Sequence, residues 1–168
     1  GRGQIAVDPS TSATAVSGAT ATGIGALSIG ASASATANGA VAVGTSANAT
    51  QNNSLAVGTN AKATQNHAVA MGADTSASSS NATAIGKSAN AVSTDSTALG
   101  ADSKANGTQA TAVGKNALAD NTNTTALGNS AQAFGIGSMA LGQSSTSRGQ
   151  NGIAIGSGSQ AEANAQNA

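Results

Sequence analysis

Glycine stands at positions 30, 44, 58, 72, 86, 100, 114, 128, 142 and 156, ten places at an unbroken spacing of fourteen. A chain that repeats this strictly is assembled from equivalent pieces, and its fold has to repeat with it. Before each glycine stands a large aliphatic residue: Ile29, Val43, Val57, Met71, Ile85, Leu99, Val113, Leu127, Leu141 and Ile155. Two places before it Ser28 occurs once, followed by Ala42, Ala56, Ala70, Ala84, Ala98, Ala112, Ala126, Ala140 and Ala154. Beyond each glycine, small residues recur at the third and fifth places, as in Ala61 and Ala63 or Ser103 and Ala105. The unit reads small-aliphatic-Ala-aliphatic-Gly-x-x-Ala-x-Ala and closes on four polar residues, such as Thr50-Gln51-Asn52-Asn53.

Two stretches of alternation within each unit predict two short strands of about four or five residues. Helix is excluded, because recurrent glycine, β-branched residues and Asn/Ser/Thr clusters all oppose it. The glycine permits a positive φ or a close backbone approach at one corner, and the polar tetrapeptide suits the other. Each unit therefore makes one coil, and stacked coils form a parallel β-solenoid. Ten coils about 4.8 Å apart span roughly 45–50 Å.

Alternation places the residues three and one before each glycine on the same side of the first strand. The expected intrachain core is the large row: Val43, Val57, Met71, Ile85, Leu99, Val113, Leu127, Leu141 and Ile155. The near-constant alanine between those two positions then points the other way. Its constancy predicts close contact with a second chain through Ala42, Ala56, Ala70, Ala84, Ala98, Ala112, Ala126, Ala140 and Ala154. A coil this thin gains little from its own apolar area, so a cyclic homo-oligomer is the simplest closed arrangement.

Before residue 26 the phase slips. The stretch "TAVS" at 14–17 resembles a unit, but Ser17 lies only thirteen residues before Gly30. With Pro9 also in this region, residues 1–25 are expected to form an irregular cap and residues 26–168 the ten repeats. Leu, Ile, Val and Phe number 22, about 13% of the 168 residues, too few for an ordinary compact core. A formal charge of zero and a single aromatic, Phe134, argue against nucleic acid. Cysteine is absent, which removes disulfides, thiolate metal sites and a cysteine nucleophile. No apolar run approaches the roughly 20 residues of a membrane helix, and no signal peptide is visible. The Gly1 start reads as that of a fragment.

The segments "NSLAVGTNAKA" (53–63) and "GSMALGQSSTS" (137–147) resemble the head repeat of YadA-like trimeric autotransporter adhesins, roughly N-S-V-A-I-G-x-x-A-x-A. The resemblance runs over about 26–168. It implies an all-β, left-handed parallel β-roll assembled as a homotrimer. It also implies a bacterial cell-surface adhesin head, anchored in the outer membrane through a C-terminal region absent here, with host cells or extracellular matrix as ligands and autoagglutination besides. Neither the family's neck nor a heptad stalk is recognisable after Gly156. Thr83, Thr97, Thr111 and Thr125 stand where the family more often has Val.

Enzymatic chemistry is not expected. The only histidine, His67, has no second ligand at metal spacing and no acid to complete a triad, and reads as a solvated turn residue. Neither "GIG" triplet, at 23–25 or 135–137, leads into a nucleotide-binding pattern. No cofactor or metal is expected. Ile24 and Ile136 share an otherwise polar turn slot, where tucked-in packing against a neighbour is the plainer reading and ligand contact the sharper one. Asn38, Asn52 and Asn66 suggest an amide ladder. The ligand-facing candidates are Lys62, Asn90, Lys104 and Gln132 on the outward side of the second strand, with Phe134. Two alternatives stand beside adhesion: an ice-binding solenoid, against which the four threonines count because their slot is assigned inward and covers only four units of ten, and a spacer with no ligand of its own.

Overall fold

The computed structural model describes residues 14–16 and 18–162. Two eleven-stranded sheets, parallel throughout, run the length of the stack. One holds the first strand of every coil, from Thr14–Val16 to Ile153–Ile155, and the other the second strand, from Thr20–Ala21 to Gln160–Ala161. From Leu27–Ile29 onward each strand pairs with the one fourteen residues later, so Ala42 lies against Ala56 and Ala56 against Ala70. The all-β solenoid expected from the period is the fold.

Both corners of a coil are the same device. In Gly30–Ala33 the Ala33 N–H donates to Gly30 O at 3.2 Å, and Ser32 takes φ +57°. In Ala37–Ala40 the Ala40 N–H donates to Ala37 O at 3.1 Å, and Gly39 takes φ +65°. A positive φ at the third residue of a β-turn favours Gly, Asn and Asp, with His among the tolerated residues. The polar corners therefore hold Asn60, Asp74 and Asn116 at one turn and Asn53, His67 and Asn81 at the other, all in the left-handed region. Ladder hydrogen bonds continue around the bends, for example from Ser46 N–H to Ala31 O at 2.8 Å. With the corners so tight, regular strand shrinks to three and two residues rather than the expected four or five.

The interior reverses the expected parity. Ala40, Ala42, Ala47 and Ala49 are all 0% exposed within a single chain, and the same four slots recur up the stack as Ala82, Ala84, Ala89 and Ala91. The core is a column of methyl groups. Ala42, Ala56, Ala70, Ala84, Ala98, Ala112, Ala126, Ala140 and Ala154 are thus intrachain core, sealed from any partner. The row expected inside, Val43, Val57, Met71, Ile85, Leu99, Val113, Leu127, Leu141 and Ile155, lies on the outer face, half-buried or exposed. The reason is space: two four-residue turns hold the sheets so close that nothing much larger than a methyl fits between them. Most of the hydroxyls that replace an alanine inside bond back to the turn, while Ser28 Oγ and Ser138 Oγ are buried without a hydrogen-bond partner. Thr75 Oγ1 donates to Gly72 O at 2.9 Å and Ser54 Oγ to Gln51 O at 2.6 Å, so the buried polar atom costs little.

The stack also begins earlier than expected. Thr14–Val16 pairs with Leu27–Ile29 and Thr20–Ala21 with Ser34–Ala35, which adds a coil inside the expected cap of 1–25. Its strands are separated by three residues, 17–19, where the next coil has four, 30–33. That one-residue deletion hides the coil from the glycine period. Residues 1–13 of the expected cap, Pro9 among them, and 163–168 of the last unit lie outside the described residues.

Candidate assembly face and ligand-facing surface

Two outward faces and two corners are available for contact. The first sheet's outer face carries two rows. The row adjoining the glycines is aliphatic from Ile29 to Ile155. The other runs Leu27, Val41, Leu55, Val69, then Thr83, Thr97, Thr111, Thr125, then Met139, Ile153. Within one chain Leu99 is 43% exposed, Leu127 42% and Ile153 49%. The threonine row, counted inward from the sequence, points outward, because it shares its parity with the aliphatics.

The second sheet's outer face is mixed and mostly polar. Lys62, Asn90, Lys104 and Gln132 do fall on one outward row, interleaved with Ser76 and Leu118 through the parallel register. Lys62 and Lys104 are exposed, while Asn90 and Gln132 are half-buried. Asn90 Oδ1 is shielded without a hydrogen-bond partner. A shallow groove of about 290 Å³ opens beside Lys62, lined by Asn60, Asp74, Thr75 and Ser76.

Side chains link successive coils at the bends. Asn60 Nδ2 donates to Asp74 Oδ1 at 3.0 Å, Asn81 Nδ2 to Asp95 Oδ1 at 2.9 Å and Asn106 Nδ2 to Asp120 Oδ1 at 2.6 Å. The slot of Asn38, Asn52 and Asn66 forms no such ladder among the described residues; Asn38 Oδ1 instead accepts the Ile24 N–H at 3.0 Å. His67 is exposed at its turn, with Asn53 Nδ2 3.4 Å from Nε2. Among the described residues no three His, Cys, Asp or Glu side chains gather as metal ligands.

The apolar turn residues are not tucked into the chain. Ile24 is 66% and Ile136 48% exposed, and Phe134 is half-buried beside Ile136. Truncation of Phe134 to Ala is expected to cost the folded chain only about 1 kcal/mol, since the ring lies outside the methyl column. A chemical-denaturation series checks this, and a loss of several kcal/mol would return the ring to a structural role.

An interior filled almost wholly by alanine, serine and threonine and an aliphatic outer sheet face define a repeat-built parallel β-solenoid. The chain belongs to the family of the YadA head domain repeat. The family's two-repeat pattern matches in nine segments, all but one adjoining pair of which overlap: 21–47, 35–61, 49–75, 63–89, 77–103, 91–117, 119–145, 135–159 and 147–168. The first of these opens in the added coil, five residues before the expected boundary at 26. This family carries an adhesin-type function and is in general non-enzymatic. Comparison with curated proteins gave no match.

Proposed function

We propose that this chain is the head of a bacterial surface adhesin, working as a homotrimer packed through the outer face of the first sheet. The observation that carries it is an aliphatic row running from Ile29 to Ile155 on a chain whose interior is already closed. That face measures about 50 by 10 Å, some 500 Å² in projection. Monomeric proteins rarely leave contiguous apolar patches beyond a few hundred Å² uncovered. Covering the first sheet leaves the second sheet, with Lys62, Asn90, Lys104, Gln132 and Phe134, turned toward host cells or extracellular matrix. Three copies of a repeating surface multiply weak contacts into avidity. The same surfaces support autoagglutination, and the reading places the head at the bacterial outer surface.

Sedimentation of the native chain is expected to give three times its 15.5 kDa mass. Leu99→Asp, which puts a charge on the face, is expected to give folded monomer. A native chain that stays monomeric at micromolar concentration would end the assembly reading. Binding of the trimer to matrix-coated surfaces separates an adhesive head from a passive spacer. Ice binding gains one observation, the outward threonines, but that row covers four coils and lies beside Ile85, Leu99, Val113 and Leu127. Clear thermal hysteresis would favour it over adhesion.

A further inference from the structure

The four threonines interrupt an otherwise uniform face. Thr83, Thr97, Thr111 and Thr125 are paired in register on neighbouring strands, with Val69 before them and Met139 after. Their hydroxyls differ from those inside the coils. Each of the inner hydroxyls of Thr75, Ser96, Ser103 and Thr124 donates to the first carbonyl of its own turn. The outer four make no side-chain hydrogen bond among the described residues. The carbonyls along the adjacent strand starts are engaged by the ladder: Thr83 N–H donates to Ser96 O, Thr97 N–H to Ala110 O and Thr111 N–H to Thr124 O.

We propose that Thr83, Thr97, Thr111 and Thr125 form a homotypic recognition band, and that its partner is another copy of this chain aligned coil for coil. The proposal rests on assembly through the first sheet's outer face. Covered by an apolar surface, each hydroxyl would lose water and gain nothing in return. A copy in matching register brings a hydroxyl to the same height. Because a hydroxyl has one donor and two acceptor sites, three around a closed ring satisfy one another in turn. Slippage by one coil sets Thr125 against Met139 at one end of the band and Thr83 against Val69 at the other. The row beside the glycines is aliphatic at every height and so discriminates between registers less sharply than the four hydroxyls do.

The test replaces all four with the isosteric valine, Thr83→Val, Thr97→Val, Thr111→Val and Thr125→Val, and co-expresses this variant with native chain, one of the two tagged. Native mass spectrometry then counts the trimer compositions. Each chain alone is expected to trimerise. Together they are expected to self-sort, with unmixed trimers well above the roughly one quarter that random mixing produces. Random mixing would overturn the band as a recognition element while leaving the trimer intact. Failure of the valine variant to trimerise alone would also overturn it, since the hydroxyls would then supply the assembly rather than select the partner. A monomeric native chain would instead remove the assembly reading beneath it.

Discussion

Gly86→Ala is expected to destabilise the chain by about 3 kcal/mol or more, enough to open the stack at its middle. Two effects act together at this position. The residue holds φ +126°, which side-chain-bearing residues rarely adopt, and a Cβ there would lie 2.6 Å from both the carbonyl carbon and oxygen of Gly100. The obstacle is the backbone of the next coil, which cannot move aside without breaking the ladder. Gly156 provides the internal control. It holds φ +113°, but among the described residues a Cβ at that position meets nothing within 4 Å. Gly156→Ala is therefore expected to cost only the conformational term, about 1–2 kcal/mol. Urea unfolding of the two variants side by side measures the difference. Equal losses would show that dihedral strain alone, and not the stacking of coil on coil, reserves this slot for glycine.

The second large effect separates two adjacent residues. Ala56→Leu is expected to cost about 3 kcal/mol or to abolish folding, because Ala56 is fully buried between Ala42 and Ala70 and the sheets leave room only for methyl groups. Val57→Leu, one residue on and facing outward, is expected to change the stability of the single chain by less than about 0.5 kcal/mol. Thermal melts of the two variants at low protein concentration make the comparison. A tolerant Ala56 with an intolerant Val57 would restore the parity that hydrophobicity alone suggests.

That parity marks the boundary of what could be read from the chain. Glycine spacing gave the coil length, the parallel register and the number of regular units, because fourteen residues without insertion admit only coil-on-coil stacking. The period-fourteen glycine and the polar tetrapeptide pointed to the two corners, and the left-handed φ at Asn60, Asp74 and Asn81 shows why Asn and Asp recur at the third residue of each turn. The coil that pairs Thr14–Val16 with Leu27–Ile29 escaped because one missing corner residue breaks the count without breaking the ladder. Membership of the YadA head-repeat family was legible in "NSLAVG" and its echoes, since the motif spans strand, interior alanine and corner glycine together.

What alternation could not supply was the sign. A period of two divides Val41, Ala42 and Val43 between two faces but does not say which face is enclosed. The usual preference for large apolar groups inside then selects the wrong one. The separation of the sheets decides it, and that separation is set by two tight turns acting across the coil, a property of the closed loop rather than of any one strand. With the sheets that close, methyl groups fill the interior and the aliphatics are turned out, onto the face where copies of the chain are proposed to meet. The sequence by itself determined a periodic parallel solenoid and its corners. The tertiary structure alone decided which side of each strand is core and which is surface, because only the closed coil fixes how much volume there is to fill.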